Sequence, residues 1–189
     1  MKNLFAYLEK FQPLSEELKS YLTDTLIPQS FPARHPLLEV PKVASHIYYL
    51  QDGFAMSYTY NREGKTTENF WKAGQIIVAF ESFMYQRPSF EVIQLVKPSD
   101  LLCMSYEAMI TMFEKFPESN RIYRQLINQH HIHIKKRLRL LKQLDHPDQY
   151  RKLKERFPEI ERIVTQRAIA TYLGITPQTL ARIKRSHNL

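Results

Sequence analysis

The chain has 189 residues, 27 Lys and Arg against 19 Asp and Glu, and a net charge of +8. This length buries one large domain or two modest ones, and the lone Cys103 excludes an internal disulfide and a four-cysteine iron–sulfur cluster held by one chain. One cysteine favours a reduced, cytoplasmic setting; no signal peptide is visible and no stretch approaches the ~18 apolar residues that span a bilayer, so a soluble protein without a membrane partner is expected.

Residues 3 to 26 read as a helical lead-in, with Leu4, Leu8 and Phe11 at helical spacing, then Pro13, then Ser15 as a cap before Glu16 and Glu17. After Pro28 the segment "HIYYLQDGFAMSYTYNREGKTTENFWKAGQIIVAF" is rich in aromatic and β-branched residues and is punctuated by Gly53, "NREGK" and "KAGQ". That is the pattern of hairpins. "SFEVIQLVKPSDLLCMSY" adds two strands around the turn "KPSD", and short strands at this spacing indicate an all-β sandwich or jelly roll. From Tyr106 the chain turns helical, pauses at Pro117 and continues to about Asp145. This second helix would run roughly 40 Å, and Ile127, His131, Ile134, Leu138 and Leu141 mark one stripe of it, as a two-stranded parallel seam requires. "DHPDQ" then breaks the helix and "DQYRKLKERF" supplies a short basic one.

The last element pair is "QRAIATYLGITPQTLARIKR". Ile169, Ala170 and Leu173 share a helical face, Gly174 can close that helix in the left-handed conformation, and Ile175 can plug the turn. Thr176 is a good cap for the next helix, and Pro177 sits at its first position, where a missing N–H costs nothing. Leu180 and Ile183 face back, leaving Gln178, Thr179, Arg182, Lys184 and Arg185 for other faces. This is the helix-turn-helix pattern, whose second helix enters the DNA major groove; a helical hairpin that only packs shows the same small residues and leucine spacing. Charge separates the two. Residues 120–189 hold 16 Lys and Arg against 5 Asp and Glu, and residues 1–119 hold 11 against 14, so an acidic front is joined to a strongly basic back.

The order of β-rich domain, long helix and helix-turn-helix, with "IYYLQDGFAMSYTY", "NREGK" and "KAGQII", resembles the cyclic AMP receptor protein and fumarate-nitrate regulator (Crp/Fnr) superfamily of bacterial transcription factors. The resemblance spans nearly the whole chain. It implies an α+β protein: an N-terminal cyclic-nucleotide-binding-like jelly roll over 1–116, a dimerisation helix over 117–145 and a DNA-binding domain over 146–189. It also implies a homodimer on a palindromic double-stranded DNA site, with RNA polymerase as a further partner. Gln178 and Arg182 match positions that face bases, Thr176 and Thr179 positions near the backbone, and Lys184 and Arg185 add phosphate contacts. Chemistry agrees, since Arg forks onto guanine and Gln pairs with adenine.

The ligand cassette departs from that pattern. Gln75 follows Gly74 where the family has glutamate, and the nearest match to its arginine motif is "QRPSF", with Pro88 between Arg87 and Ser89 and Phe90 where a small residue is expected. The expectation is a pocket that has lost cyclic AMP, or a jelly roll with no small ligand, and no cofactor is assigned. The β-hairpin wing that often follows the recognition helix in this family has no counterpart before Leu189; Lys152, Lys154 and Arg156 are candidates to replace its backbone contacts. His130, His131 and His133 lack a nearby cysteine or carboxylate to complete a metal site, and no nucleophile or phosphate-loop motif argues for catalysis. Two functions stay open: a dimeric DNA-binding regulator, and a module whose jelly roll binds a small molecule or protein while the C-terminal helices only pack.

Overall fold

Two four-stranded sheets occupy the strand-rich middle of this α+β chain, with helices before and after them. The computed structural model describes residues 1–62, 64–143 and 145–186, with the side chains of 133, 140, 141 and 143 outside the described set. Helices α1 (Lys2–Leu8) and α2 (Glu16–Thr25) lead in, and Ser15 caps α2 by accepting the Leu18 N–H at 3.2 Å. The strands are β1 (Ile27–Phe31), β2 (Pro36–Leu38), β3 (His46–Asp52), β4 (Phe54–Asn61), β5 (Gly64–Lys72), β6 (Gln75–Ile77), β7 (Val92–Leu95) and β8 (Ser99–Ser105). Helix α3 (Phe80–Tyr85) interrupts them between β6 and β7. After them come α4 (Tyr106–Lys115), α5 (Pro117–Gln143), α6 (His146–Arg156), α7 (Ile160–Ile163), α8 (Gln166–Tyr172) and α9 (Pro177–Ser186).

Packing divides the chain into two compact units: 1–56 with 70–129, and 57–69 with the described residues from 130 onward. The expected partition at 116/117 and 145/146 follows element boundaries. Packing groups the tip of the β4–β5 hairpin with the C-terminal helices and divides α5 after Gln129.

One sheet runs β1-β8-β3-β6 with antiparallel pairing within the first unit, and the other runs β2-β7-β4-β5. The registers Ile47↔Met104, Tyr49↔Leu102 and Tyr49↔Ile76 put these five side chains on one face of the first sheet. Leu50, Leu101 and Cys103 alternate to the other face, and all are buried. Both faces of β8 are therefore covered, which is why "LLCM" reads as a continuous apolar run rather than an alternation. Leu4, Leu8, Leu18 and Leu22 of α1 and α2 join the same core, and the Tyr21 hydroxyl ties α2 to α4 by donating to the Ala108 carbonyl at 2.8 Å.

In the second unit, Tyr150, Ile160, Ile169, Ala170 and Leu180 are fully buried. Local caps set its helix starts: Asp145 accepts the Asp148 N–H at 2.9 Å at α6, and Thr165 accepts the Ala168 N–H at 3.2 Å at α8. No helix among the described residues is long and apolar enough to cross a membrane.

Candidate nucleic-acid interface

The turn between α8 and α9 is built by its own backbone. Gly174 has φ +70, its N–H donates to the Thr171 carbonyl at 3.1 Å, and the Ile175 N–H reaches back to the Ala170 carbonyl at 3.0 Å. These are the paired bonds of a Schellman closure, with glycine at its left-handed position. Thr176 then caps α9, accepting the Thr179 N–H at 3.1 Å and bonding the Thr179 hydroxyl at 3.0 Å. The two threonines of the predicted interface thus hold the helix start. Leu180 and Ile183 are buried, while Gln178, Arg182 and Arg185 are exposed at i, i+4 and i+7, one continuous row along α9.

Lys184 is paired within its own unit. Its ammonium lies 2.8 Å from the Glu161 carboxylate, which also accepts the Tyr150 hydroxyl, so α6, α7 and α9 meet at one acidic residue. Arg182 and Arg185 have no acidic partner among the described residues. Of the cations considered as replacements for a wing, Lys152 is paired with Glu155 at 2.9 Å, Lys154 lies 5.8 Å from the Tyr150 ring, and Arg156 lies 4.9 Å from the Phe157 ring. Burial, more than any neighbour, pulls the pKa of the half-buried Arg156 below its usual value.

The hairpin tip grips α8. The Thr67 N–H donates to the Thr171 hydroxyl at 3.2 Å, and that hydroxyl lies 3.2 Å from the Thr67 hydroxyl. Arg137, on α5, donates one guanidinium nitrogen to the Glu68 carbonyl and another to the Tyr172 carbonyl at 3.3 Å, with its centre 4.3 Å from the Tyr172 ring. These contacts join residues 35 to 104 positions apart, and no local pattern announces them.

The departing cassette is committed to its own loops. The Gln75 side chain accepts the Lys72 N–H at 2.9 Å, and the Gly74 N–H donates to the Leu50 carbonyl at 2.8 Å. Ser82 donates to the Arg87 carbonyl at 2.6 Å and accepts the Ala44 N–H at 2.9 Å. The buried Ser89 hydroxyl donates to the Glu91 carbonyl at 2.8 Å. Arg87 itself is exposed, its guanidinium 5.8 Å from the exposed Tyr85 ring. The bonds that shape the loop leave the Arg87 side chain at its surface.

Along α5, Ile127 is half-buried in the first unit; in the second, His131 is exposed, and Ile134 and Leu138 are each 50% exposed. The Leu141 side chain lies outside the described residues. Burial lowers the His130 pKa, with the neighbouring His131 adding to the effect, and no group of three metal-ligating side chains occurs among the described residues. Cys103 is buried, and desolvation pushes its thiol up to about 11, which makes it an inert core residue.

No protein-family model and no curated protein matches the sequence. Solved structures do share the fold. The c-di-GMP responsive global regulator CLP of Xanthomonas campestris superposes with a TM-score of 0.72 at 13% identity, over 92% of each chain. A protein of Eubacterium rectale described as a transcriptional regulator of the crp/fnr family gives 0.75 at 15% identity, over 93% of this chain and 84% of that one. A cyclic nucleotide-binding domain from Methylobacillus flagellatus gives 0.63 at 18% identity, over 71% and 78%.

Proposed function

We propose, on the premise of this shared fold, that the chain is a DNA-binding transcription regulator of the Crp/Fnr type that works as a homodimer and does not answer to cyclic AMP. The two sheets then form the jelly roll, and α8 and α9 form the helix-turn-helix. The observation that carries the reading is the row Gln178, Arg182 and Arg185, exposed and opposite the buried Leu180 and Ile183 on a helix whose start is fixed by a Schellman turn and a threonine cap. In this reading Gln178 and Arg182 meet base edges, and Arg185, Thr176 and Thr179 lie along the phosphates. Lys184 supports the helix through Glu161. RNA polymerase would be met by surfaces outside this row.

The half-exposed Ile134 and Leu138 are what a second copy would cover, setting two recognition helices about 34 Å apart on successive major grooves. A cyclic phosphate needs a charge-assisted, often bidentate cation, and the outward Arg87 supplies none, which supports a jelly roll that has lost cyclic AMP or holds no small ligand in its cassette. Selection of bound sequences from a random duplex pool tests the reading. An enriched, roughly palindromic motif is expected; failure to enrich any sequence would leave the alternative, a ligand- or protein-binding module whose C-terminal helices only pack.

A further inference from the structure

The first unit contains a cavity of about 100 Å³ between α1, α2, α4, the first turns of α5 and the face of the β1-β8-β3-β6 sheet that carries Ile47, Tyr49, Ile76, Leu102 and Met104. Close-packed interiors leave few voids larger than a water molecule, so this space is a feature of the unit. Among the described residues its wall includes no Lys, Arg, His, Asp or Glu. The one serine that reaches it, Ser119, donates its hydroxyl to the Phe116 carbonyl at 2.6 Å. Desolvation, with Cys103 adding to it, pushes Tyr48 up to about 12, which keeps that phenol neutral at physiological pH. Water needs two to four polar partners to be held in a cavity, and these walls do not provide them.

Three further features describe a binding site rather than a packing fault. Met104, Met109 and Met112 line it, and unbranched thioether side chains adapt to the shape of an occupant. It is separate from the cassette, because Gly74, Gln75, Arg87 and Ser89 do not line it. Ser119, Ile122, Tyr123 and Leu126 do, and their spacing of three or four puts one face of α5 against the occupant. We propose that this cavity binds a small uncharged apolar molecule, an aromatic ring or a short alkyl chain, and that the occupant acts on α5. Binding stands on the cavity alone; a consequence for DNA rests on the regulator reading. A charged ligand is excluded, since its ion would be desolvated without a partner.

The probe is benzene, with benzoate as its charged counterpart, added to the full chain. Benzene is expected to raise the thermal midpoint in a saturable manner, as any ligand of the native state does, and benzoate to leave it unchanged. Leu126→Phe from the helix wall and Ile76→Phe from the sheet wall each fill the space, and each should weaken benzene binding at least tenfold while the protein stays folded. A benzene response that persists in both variants, an equal response to benzoate, or no saturable response in the wild type overturns the proposal. Crystals under xenon pressure give a reading independent of variants: xenon between Leu22 and Ile76 is expected, and an empty cavity contradicts the assignment. If benzene binds and no duplex is retained under any condition, the regulator reading fails and this one stands.

Discussion

Replacing Arg137 by methionine removes the guanidinium while keeping much of the apolar stem, and so isolates the grip between α5, the hairpin tip and α8. Three interactions are lost: the bonds to the Glu68 and Tyr172 carbonyls and the cation over the Tyr172 ring. A hydrogen bond from a charged donor is worth about 1.5–3 kcal/mol, and a partly buried cation–π contact about 0.5–2 kcal/mol. Against these stands the Arg137 Nε, buried and without a partner among the described residues, a cost the methionine relieves. Because the three contacts share one side chain they do not add, and a net loss of about 2–3 kcal/mol is expected. Urea unfolding measures the total. Amide exchange locates it: the Thr67 N–H, bonded to the Thr171 hydroxyl at 3.2 Å, should lose protection first, while the α2 amides keep theirs. A variant within about 0.5 kcal/mol of wild type, or uniform deprotection of both units, would refute the grip.

At Gly174, φ is +70 and an added Cβ meets nothing within 4 Å, so the Ala substitution pays only the left-handed backbone penalty, about 1–2 kcal/mol by urea unfolding; a larger loss would mean that the turn is tighter than described. Calorimetry with cyclic AMP and cyclic GMP should show no binding at micromolar concentration, and binding abolished by Arg87→Ala would show that the loop can turn its cation inward. Ile134→Glu should convert a dimer to a monomer by light scattering, because two carboxylates would enter an apolar seam; a variant that stays dimeric would move the interface elsewhere.

The elements that sequence reasoning recovers are those whose cause is local. Ser15 and Thr176 cap the helices that follow them and Gly174 closes the helix before α9, as the sequence indicates, whereas the caps Asp145 and Thr165 are not singled out there. The β8 run "LLCM" was legible as a strand because both its faces are covered. By contrast, β1 has the sequence "IPQSF", four of whose five residues are exposed; with a proline inside it and no alternation, only its pairing with β8 makes it a strand. The phosphate contact of Lys184 is implied by the resemblance, while its partner Glu161 lies on another helix, invisible to periodicity. Thr67 and Arg137 are missed for the same reason, since their partners come together only when the hairpin tip meets α8. The cavity leaves no sequence trace at all, because a void is a property of packing.

The central claim is that α9 reads DNA through Gln178 and Arg182, and titration of a labelled duplex taken from the selected pool tests it most directly. Affinity should fall steeply between 50 and 200 mM salt, as several phosphate contacts require. Arg182→Ala should cost about 1–3 kcal/mol on the selected site and much less on random duplex. Equal losses on both duplexes, or binding indifferent to salt and to the substitution, would contradict the account.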